Sequence, residues 1–406
     1  MSTERNVPKL RFPGFTEPWE LRKLEEVMDT VTDYVAAGSF ADIRNNVTYL
    51  NEPAYAQLVR TVDLKKKFTN DDSVYVDENA FKYLWRVNLD EECIVLPNIG
   101  ANIGEVYFVE PSDLPYDNNV LGPNAILLKT KEDSYFAFTS LSNGYFQKQL
   151  FENVGSSGQP KFNKTELKAI QLFIPHVDEQ KKIGDYFRNL DNLITLHQRK
   201  LKHVKDLKKS MLQKMFPKNG QEYPELRFPG FTEPWEQRKL EDVVEFLDTM
   251  RKPLEGAKRT PGPYPYYGAS GIVDYVDGYL FDEELVLLSE DGANITDRNY
   301  PVCFLASGKY WVNNHAHVLR TKDGNENNFI CNSLERKDYK QYNSGMAMPK
   351  LNQEVCRSIP ISCPSFDEQK KIGDYFRNLD NLITLHQREL EHLKLLKKVM
   401  LQQMFV

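Results

Sequence analysis

The 406-residue sequence lacks the features of several large protein classes. Its 5 cysteines form no C-x-x-C pair, which argues against a disulfide framework or a zinc knuckle and favours a reducing compartment. No stretch approaches the roughly 20 apolar residues of a membrane span, and the first ten residues lack the apolar core of a signal peptide. The 52 Lys+Arg do not outnumber the 58 Asp+Glu, so the formal charge is -6. We therefore expect a cytoplasmic globular protein, in which any binding of nucleic acid is local.

The motifs of enzymes that act on DNA are also missing. There is no P-loop, and residues 51–55, the stretch nearest to an adenine-methyltransferase loop, lack the paired prolines of that motif. His315-x-His317 resembles part of a metal site, but no Cys, Asp or Glu cluster in the sequence completes it. The sequence therefore predicts a protein that binds rather than catalyses, with no metal and no cofactor of its own.

A tandem duplication is the main feature that the sequence does contain. Residues 8–27 recur as residues 224–243, with 17 of 20 positions identical. Residues 178–201 recur as residues 367–390 and differ only at Lys200 against Glu389. Between these near-identical frames lie two inserts, residues 28–177 and residues 244–366, that barely resemble each other. Shared frames with unlike inserts indicate one common assembly task and two different recognition tasks.

Each copy of the second frame predicts a long helix. The first helix should begin near Asp178 and end near Pro217, and the second should begin near Asp367 and end near the last residues. Apolar residues step by four and three alternately, which is the period of a coiled coil, so the two helices should pair antiparallel about a pseudo-twofold axis. At about 1.5 Å per residue, 39 residues span about 58 Å, comparable to some 17 base pairs. The expected core of the helix pair is Ile183, Phe187, Leu190, Ile194 and Leu201 with their copies Ile372, Phe376, Leu379, Ile383 and Leu390. We place Asp191 on a solvated face, and we expect Leu193 and Leu196, which flank the seam, to meet a further partner.

Faint similarity survives inside the inserts. Gly-Ala-Asn-Ile at 100–103 echoes the same string at 292–295, and Pro-Lys at 160–161 echoes Pro-Lys at 349–350. We therefore expect both inserts to share one mixed α/β fold with a strongly bent sheet and divergent loops.

Polar and aromatic loop residues of the inserts are the candidates for contacts with base edges or phosphates, although each is also an ordinary loop residue. In the first insert they are Lys65, Lys66, Lys67, Asn98, Asn102, Ser156, Ser157, Gln159 and Lys161. In the second they are Lys258, Arg259, Tyr266, Tyr267, Ser270, Asn294, Arg298, Asn313, His315, Met346 and Lys350. The inserts carry net charges of -7 and -3, so each should bind DNA weakly unless a partner helps to hold it.

The frames resemble a known family. Leu-Arg-Phe-Pro-Gly-Phe at 10–15 and 226–231, and Asp-Glu-Gln-Lys-Lys-Ile-Gly-Asp-Tyr-Phe at 178–187 and 367–376, look like the DNA-specificity subunit of type I restriction-modification systems. The Gly-Ala-Asn-Ile strings and residues 311–319 resemble its target-recognition domains. The resemblance implies target-recognition domains at 1–175 and 218–364, each carrying a frame, and conserved helices at 176–217 and 365–406.

The same resemblance implies a non-catalytic subunit that reads a bipartite, asymmetric site on double-stranded DNA. It implies assembly with two methyltransferase (modification) subunits, which use S-adenosylmethionine, and with restriction/translocase subunits, which use ATP and Mg. Two other hypotheses stay open at this point: a self-sufficient modification or restriction enzyme, and a coiled-coil scaffold that positions two protein-binding modules.

Overall fold

A computed structural model describes residues 6–154, 160–218, 220–256, 259–346 and 348–406. The chain divides into two compact units. Unit 1 contains Met1–Leu196 and Leu390–Val406, and unit 2 contains His197–Glu389. Each unit therefore contains one frame, one insert and half of each long helix.

Unit 1 is built on mostly antiparallel strands with short helices between them. Its strands are β1 (Glu20–Lys23), β2 (Met28–Asp33), β3 (Ala56–Val59), β4 (Val74–Val76), β5 (Cys93–Pro97), β6 (Tyr107–Val109), β7 (Asn119–Leu121), β8 (Ala125–Thr130) and β9 (Gln171–Ile174). Its helices are α1 (Leu24–Val27), α2 (Phe40–Asn46), α3 (Thr61–Lys65), α4 (Glu78–Tyr83), α5 (Ser134–Ser142), α6 (Gly144–Asn153), α7 (Lys164–Ala169) and the first half of α8 (Val177–Lys214). The sheets have the strand orders β2-β8-β5-β6, β4-β3-β7 and β1-β9, and β3 and β7 form a parallel pair.

Unit 2 repeats this plan with a different second sheet. Its strands are β10 (Glu236–Lys239), β11 (Val244–Phe246), β12 (Pro261–Gly268), β13 (Gly271–Val276), β14 (Phe281–Asp282), β15 (Leu285–Ser289), β16 (Cys303–Ala306), β17 (Lys309–Val312), β18 (Ala316–Thr321) and β19 (Pro360–Cys363). Its helices are α9 (Leu240–Val243), α10 (Asn294–Asp297), α11 (Asn327–Glu335), α12 (Gln353–Arg357) and the first part of α13 (Phe366–Gln403). The sheets have the orders β11-β18-β15-β16, β13-β12-β17-β14 and β10-β19.

One central strand in each unit, β5 in unit 1 and β15 in unit 2, lies between two cores. All five residues of β5 and of β15 are buried. Because alternate side chains of a strand point to opposite faces, Ile94 of β5 joins the core shared with α8, whereas Val95 joins the core beneath α2 and α4. Val286 and Leu287 of β15 divide in the same way. A run of apolar residues buried on both faces thus replaces the alternation of a half-exposed strand. These sheets confirm the predicted mixed α/β inserts.

The frames close each insert against the start of a long helix. In unit 1, β1 pairs with β9, and the Arg11 guanidinium binds the Glu179 carboxylate with nitrogen-to-oxygen distances of 2.8 and 2.6 Å. Glu179 is 1% exposed and also accepts a hydrogen bond of 3.2 Å from the Trp19 indole. In unit 2, β10 pairs with β19, and Arg227 binds the equally buried Glu368 at 2.7 Å.

Within each unit the two long helices run antiparallel, as predicted. Lys397 binds Asp191 in unit 1 at 2.6 and 2.7 Å, and Lys208 binds Asp380 in unit 2 at 2.6 and 2.8 Å. Our placement of Asp191 on a solvated face is therefore wrong, because this carboxylate lies opposite a lysine of the second helix. The helix α8 begins at Val177, one residue before Asp178, near which its start was predicted.

Burial along the predicted helix core is highest at the start of each helix. The expected core residues with 5% exposure or less are Ile183, Phe187, Leu190, Ile372, Phe376 and Leu379. The residues nearer to the middle of the helices, Ile194, Leu201, Ile383 and Leu390, are half-buried. Among the described residues, no helix combines the length and the apolar composition that crossing a membrane requires.

Candidate nucleic-acid interface

Both units tie the loop after their central strand to the Pro-Lys segment found in the sequence. In unit 1 residues 98–104 form this strand-end loop, and residues 160–162 pair with it through the backbone. The Gly100 backbone N–H donates to the Pro160 carbonyl at 3.0 Å, and the Phe162 N–H donates to the Asn98 carbonyl at 3.2 Å. A β-bridge joins Ile99 to Lys161 between these bonds.

Unit 2 makes the same connections at equivalent positions. Its strand-end loop is formed by residues 290–296, and residues 349–351 pair with it through the backbone. The Gly292 N–H donates to the Pro349 carbonyl at 3.1 Å, and the Leu351 N–H donates to the Glu290 carbonyl at 2.7 Å. Asp291 and Lys350 form the corresponding β-bridge. The two sequence echoes therefore belong to one scaffold that both inserts retain, with Lys161 and Lys350 on it.

The side chains on this scaffold differ between the units. Unit 1 places Asn98 directly after the central strand, with the amide oxygen buried and without a hydrogen-bond partner. Unit 2 has Glu290 at the equivalent position, and Asp291 follows it where unit 1 has Ile99. Glu290 accepts from Arg251 at 2.7 Å, and Asp291 lies 2.9 Å from Nδ1 of half-exposed His315. The same framework thus presents an amide in one unit and a carboxylate–imidazole pair in the other.

The predicted lysines of unit 1 lie near this loop and are exposed. Lys65, at the end of α3, donates to Asn102 at 2.8 Å and to Glu105 at 2.5 Å. Lys66 and Lys67 follow in an exposed turn, and Lys161 is exposed on the Pro-Lys segment. Lys65 and Asn102 therefore bind each other, whereas Lys66, Lys67 and Lys161 face solvent. Ser156, Ser157 and Gln159 lie outside the described residues.

The predicted residues of unit 2 separate into a buried and an accessible group. Tyr266, Asn294 and Asn313 are at most 7% exposed, so their side chains support the loops and are not placed to meet a duplex. Tyr266, for example, accepts from the Leu254 N–H through its hydroxyl, and Asn294 donates to Ser289 Oγ at 2.9 Å.

The remaining residues of unit 2 lie at or near the surface. Arg259 and Arg298 are held by Asp274 and Glu335, and Tyr267 stacks on Phe304. Ser270, His315, Met346 and Lys350 are exposed or half-exposed, with Ser270 at the turn between β12 and β13. Lys258 lies outside the described residues.

His317 does not join His315 in a metal site. It is 1% exposed and donates from Nδ1 to Asp248 at 2.6 Å and from Nε2 to the Leu351 carbonyl at 2.8 Å. Burial alone would lower the pKa of His317, but its hydrogen bonds and the Asp248 charge raise that pKa to about 10. The imidazolium thus fixes the Pro-Lys segment of unit 2. The described part of the chain contains no group of three or more His, Cys, Asp or Glu side chains suited to a metal ion.

The sequence did not single out helix α2 of unit 1. Phe40 at its start is 79% exposed, and Arg44 is exposed one turn later. Both line a cleft that also contains Asn98 of the strand-end loop. A signal was present, because in Phe-Ala-Asp-Ile-Arg-Asn-Asn an exposed aromatic and an arginine share a helix with a single buried residue, Ile43.

Comparison with known proteins identifies the family to which the frames and inserts belong. Residues 16–206 and 232–395 match the sequence model of the type I restriction modification DNA specificity domain. The chain belongs to this specificity family. Its two matched segments are the two frame-and-insert repeats, so this member of the specificity family carries the domain twice.

Individual members of the specificity family resemble the chain to different extents. A putative type I restriction enzyme specificity subunit of Methanocaldococcus jannaschii is 24% identical over 97% of this chain and 94% of its own length. One from Haemophilus influenzae is 34% identical over 38% of this chain, and the match spans only 39% of that protein. The crystal structure of an S subunit from M. genitalium superposes with a TM-score of 0.70 at 15% identity, covering 98% of this chain and 99% of the other. This last likeness shows a shared fold.

Proposed function

We propose that this chain is the DNA-recognition subunit of a type I restriction-modification complex and reads a bipartite, asymmetric site, one half with each insert. The observation that carries this proposal is the strand-end scaffold, which both units retain while its side chains differ. A retained backbone with unlike polar groups is suited to reading two different base sequences from similar positions. Two unlike units in one chain favour an asymmetric site, whereas a symmetric dimer reads a palindrome.

The polar groups at the scaffold of each unit suit base edges. Asparagine pairs with adenine in the major groove, lysine and arginine pair with guanine, and a carboxylate accepts from the cytosine amino group. Unit 1 offers Asn98 and Lys161 at its scaffold, and unit 2 offers Asp291 and His315. We therefore expect the two half-sites to differ.

Partner subunits are a second part of the proposal. We expect two modification subunits carrying S-adenosylmethionine, and restriction subunits using ATP and Mg, while this chain supplies recognition and no catalysis. The acidic inserts support a need for partners, because electrostatic attraction by the inserts alone would hold DNA weakly. Exposed leucines at equivalent positions of the long helices, Leu193 and Leu196 with Leu382 and Leu385, support docking of another apolar surface.

Mapping methylated adenines tests the proposal directly. Genomic DNA is sequenced from cells that express the partner subunits with the wild-type chain, without it, or with a chain carrying residues 28–177 in place of residues 244–366. We expect a bipartite motif that requires this chain, and in the altered chain a motif that contains the first half-site twice. A motif that persists without the chain, or that the replacement leaves unchanged, would contradict the proposal. A protein-binding scaffold would give no motif at all.

A further inference from the structure

The cleft beside α2 in unit 1 has the composition of a specific contact site. Its volume is about 620 Å³, and its walls include Tyr34, Phe40, Arg44, Tyr49 and Asn98. Phe40 is 79% exposed and Tyr49 is 50% exposed, so much of both rings is open to solvent. The cleft therefore offers uncovered aromatic surface next to polar side chains, among them Arg44 and Asn98.

Helix α2 holds Phe40 and Arg44 in fixed positions on this cleft. Ser39 caps the helix, accepting from the Asp42 N–H at 3.2 Å while the Asp42 carboxylate accepts from the Ser39 N–H at 3.1 Å. Ile43, the residue before Arg44, is buried and anchors the helix in the core of unit 1. Since residues i and i+4 lie on the same face of a helix, Phe40 and Arg44 share one side.

Arg44 differs from the other described arginines of unit 1. All the others bind a carboxylate or a backbone carbonyl; they are Arg11, Arg22, Arg60, Arg86 and Arg188. Within the described part of unit 1, Arg44 has no such partner. Its five donors therefore remain available to a ligand with several acceptors.

The charge near the cleft favours a base edge over a phosphate. A phosphate site usually gathers several cations, but the other charged residue that lines the cleft is Asp33, whose carboxylate binds Lys164 at 2.8 Å. The buried Oδ1 of Asn98 has no hydrogen-bond partner, and its Nδ2 makes only a 3.5 Å contact with the Phe162 carbonyl. The guanidinium of Arg44 and the amide of Asn98 suit the neutral, acceptor-rich edge of a base, and the aromatic walls of the cleft suit the face of a base.

We propose that Arg44 is a specificity-determining residue that reads a guanine in the half-site of unit 1, with Phe40 packed against the adjacent base. Arg44 would donate to O6 and N7 of that guanine, which is a bidentate contact. This assignment rests on the proposed function, since it requires that the chain reads DNA.

The test uses the full chain assembled with its partner subunits. Arg44→Ala, Arg44→Lys and Phe40→Ala are compared with wild type by adenine methylation mapping and by binding to the consensus duplex at several salt concentrations. Lys82→Ala is the matched control, because it removes the same charge from an exposed helix of the same unit, where Lys82 pairs with Glu78. Thermal unfolding confirms that the variants fold, since both substituted cleft side chains are exposed.

We expect Arg44→Ala to relax one guanine position in one half-site and to weaken binding to the consensus by about 10- to 100-fold. Arg44→Lys should lose part of the discrimination, Phe40→Ala should weaken the same half-site, and Lys82→Ala should leave the motif unchanged. The salt dependence of binding should also stay unchanged in Arg44→Ala, because a base contact displaces no phosphate counterion.

Four results would overturn the assignment. If Arg44→Ala leaves the wild-type motif intact, Arg44 does not read a base, while the proposed function still holds. A uniform loss of affinity with a shallower salt dependence identifies a phosphate contact, and loss of a partner subunit with intact DNA binding identifies a protein contact. A wild-type chain that directs no motif overturns the proposed function and this assignment together.

Discussion

A single buried histidine illustrates how individual residues hold the recognition loops. His317 carries its charge inside unit 2 because Asp248 and the Leu351 carbonyl both accept from its ring, leaving neither nitrogen unpaired. Leu351 is the residue after Lys350, so the imidazolium fixes the position of the exposed lysine.

The raised pKa of His317 predicts a dependence of stability on pH. The pKa is about 10 in the folded chain against 6.5 for an unperturbed histidine, so the folded state binds the proton more tightly. This stabilisation is complete below about pH 6.5 and is lost as the pH rises towards 10. We therefore expect His317→Gln to lower the free energy of unfolding most at pH 6, with a difference from wild type that shrinks by pH 10.

Denaturant unfolding at a series of pH values measures this difference. His203→Gln is the control, because His203 lies in the same unit and is exposed on α8. A penalty for His317→Gln that is independent of pH would show that the side chain is neutral in the folded chain.

The residues also show where sequence-based prediction ends. Lys65 looked like a free cation, but Glu105, 40 positions away in sequence, binds it. Tyr266 looked like a loop aromatic and is in fact buried. Whether a polar side chain faces a neighbour or solvent depends on contacts between distant segments, which local patterns do not contain.

At the scale of secondary-structure elements, the ends of the long helices complete the cores of the units. Phe216, just after α8, lies within about 6 Å, ring centre to ring centre, of Trp235, Phe329 and Phe376. Phe405, after α13, contacts the equivalent aromatic group in unit 1, which is formed by Trp19, Phe136 and Phe187.

Truncating either phenylalanine should destabilise one unit selectively. We expect Phe405→Ala to cost about 3 to 5 kcal/mol, the usual loss for a buried phenylalanine, and to speed amide hydrogen exchange in β5 and β8. Phe216→Ala should do the same in β15 and β18, so each variant is the control for the other. Equal effects of both variants on both units would contradict this division.

The helices were the most predictable elements, and the sheets the least. Both long helices begin within one residue of the predicted start at 176 or 365 and end three residues before the predicted end. Their period of three and four is a local property of the sequence. The pairing of β3 with β7 joins residues about 60 positions apart, and apolar runs alone do not specify such partners. The spacing of the half-sites by the helix pair stays a prediction.

At the scale of the whole molecule, the duplication places an exposed pair of leucines at the same positions of both long helices. Leu193 and Leu196 in unit 1 are 45% and 44% exposed, and their counterparts Leu382 and Leu385 in unit 2 are 43% and 50% exposed. Leucine pairs repeated at the same position of both frames suit two copies of one partner, whereas the unlike inserts suit two different half-sites.

Polar substitution of either leucine pair should remove one modification subunit without unfolding the chain. We expect Leu193→Ser with Leu196→Ser to leave a complex with one such subunit, and Leu382→Ser with Leu385→Ser to have the same effect. Asn192→Ser and Asn381→Ser, also exposed on these helices, are the controls. Size-exclusion chromatography with light scattering measures the composition, and a full complement in both double variants would contradict the prediction.

The position of Phe405 in the core of unit 1 also has a consequence for synthesis of the protein. Residues 6–196 leave the ribosome first, yet the aromatic group around Trp19 stays incomplete until translation has passed through all of unit 2. The Leu10 N–H also lacks its acceptor until residue 403 has been made, because it donates to the Gln403 carbonyl at 2.8 Å. The part of the chain that is made first is thus among the last to finish folding, and a nascent chain that ends before Phe405 leaves the core of unit 1 incomplete.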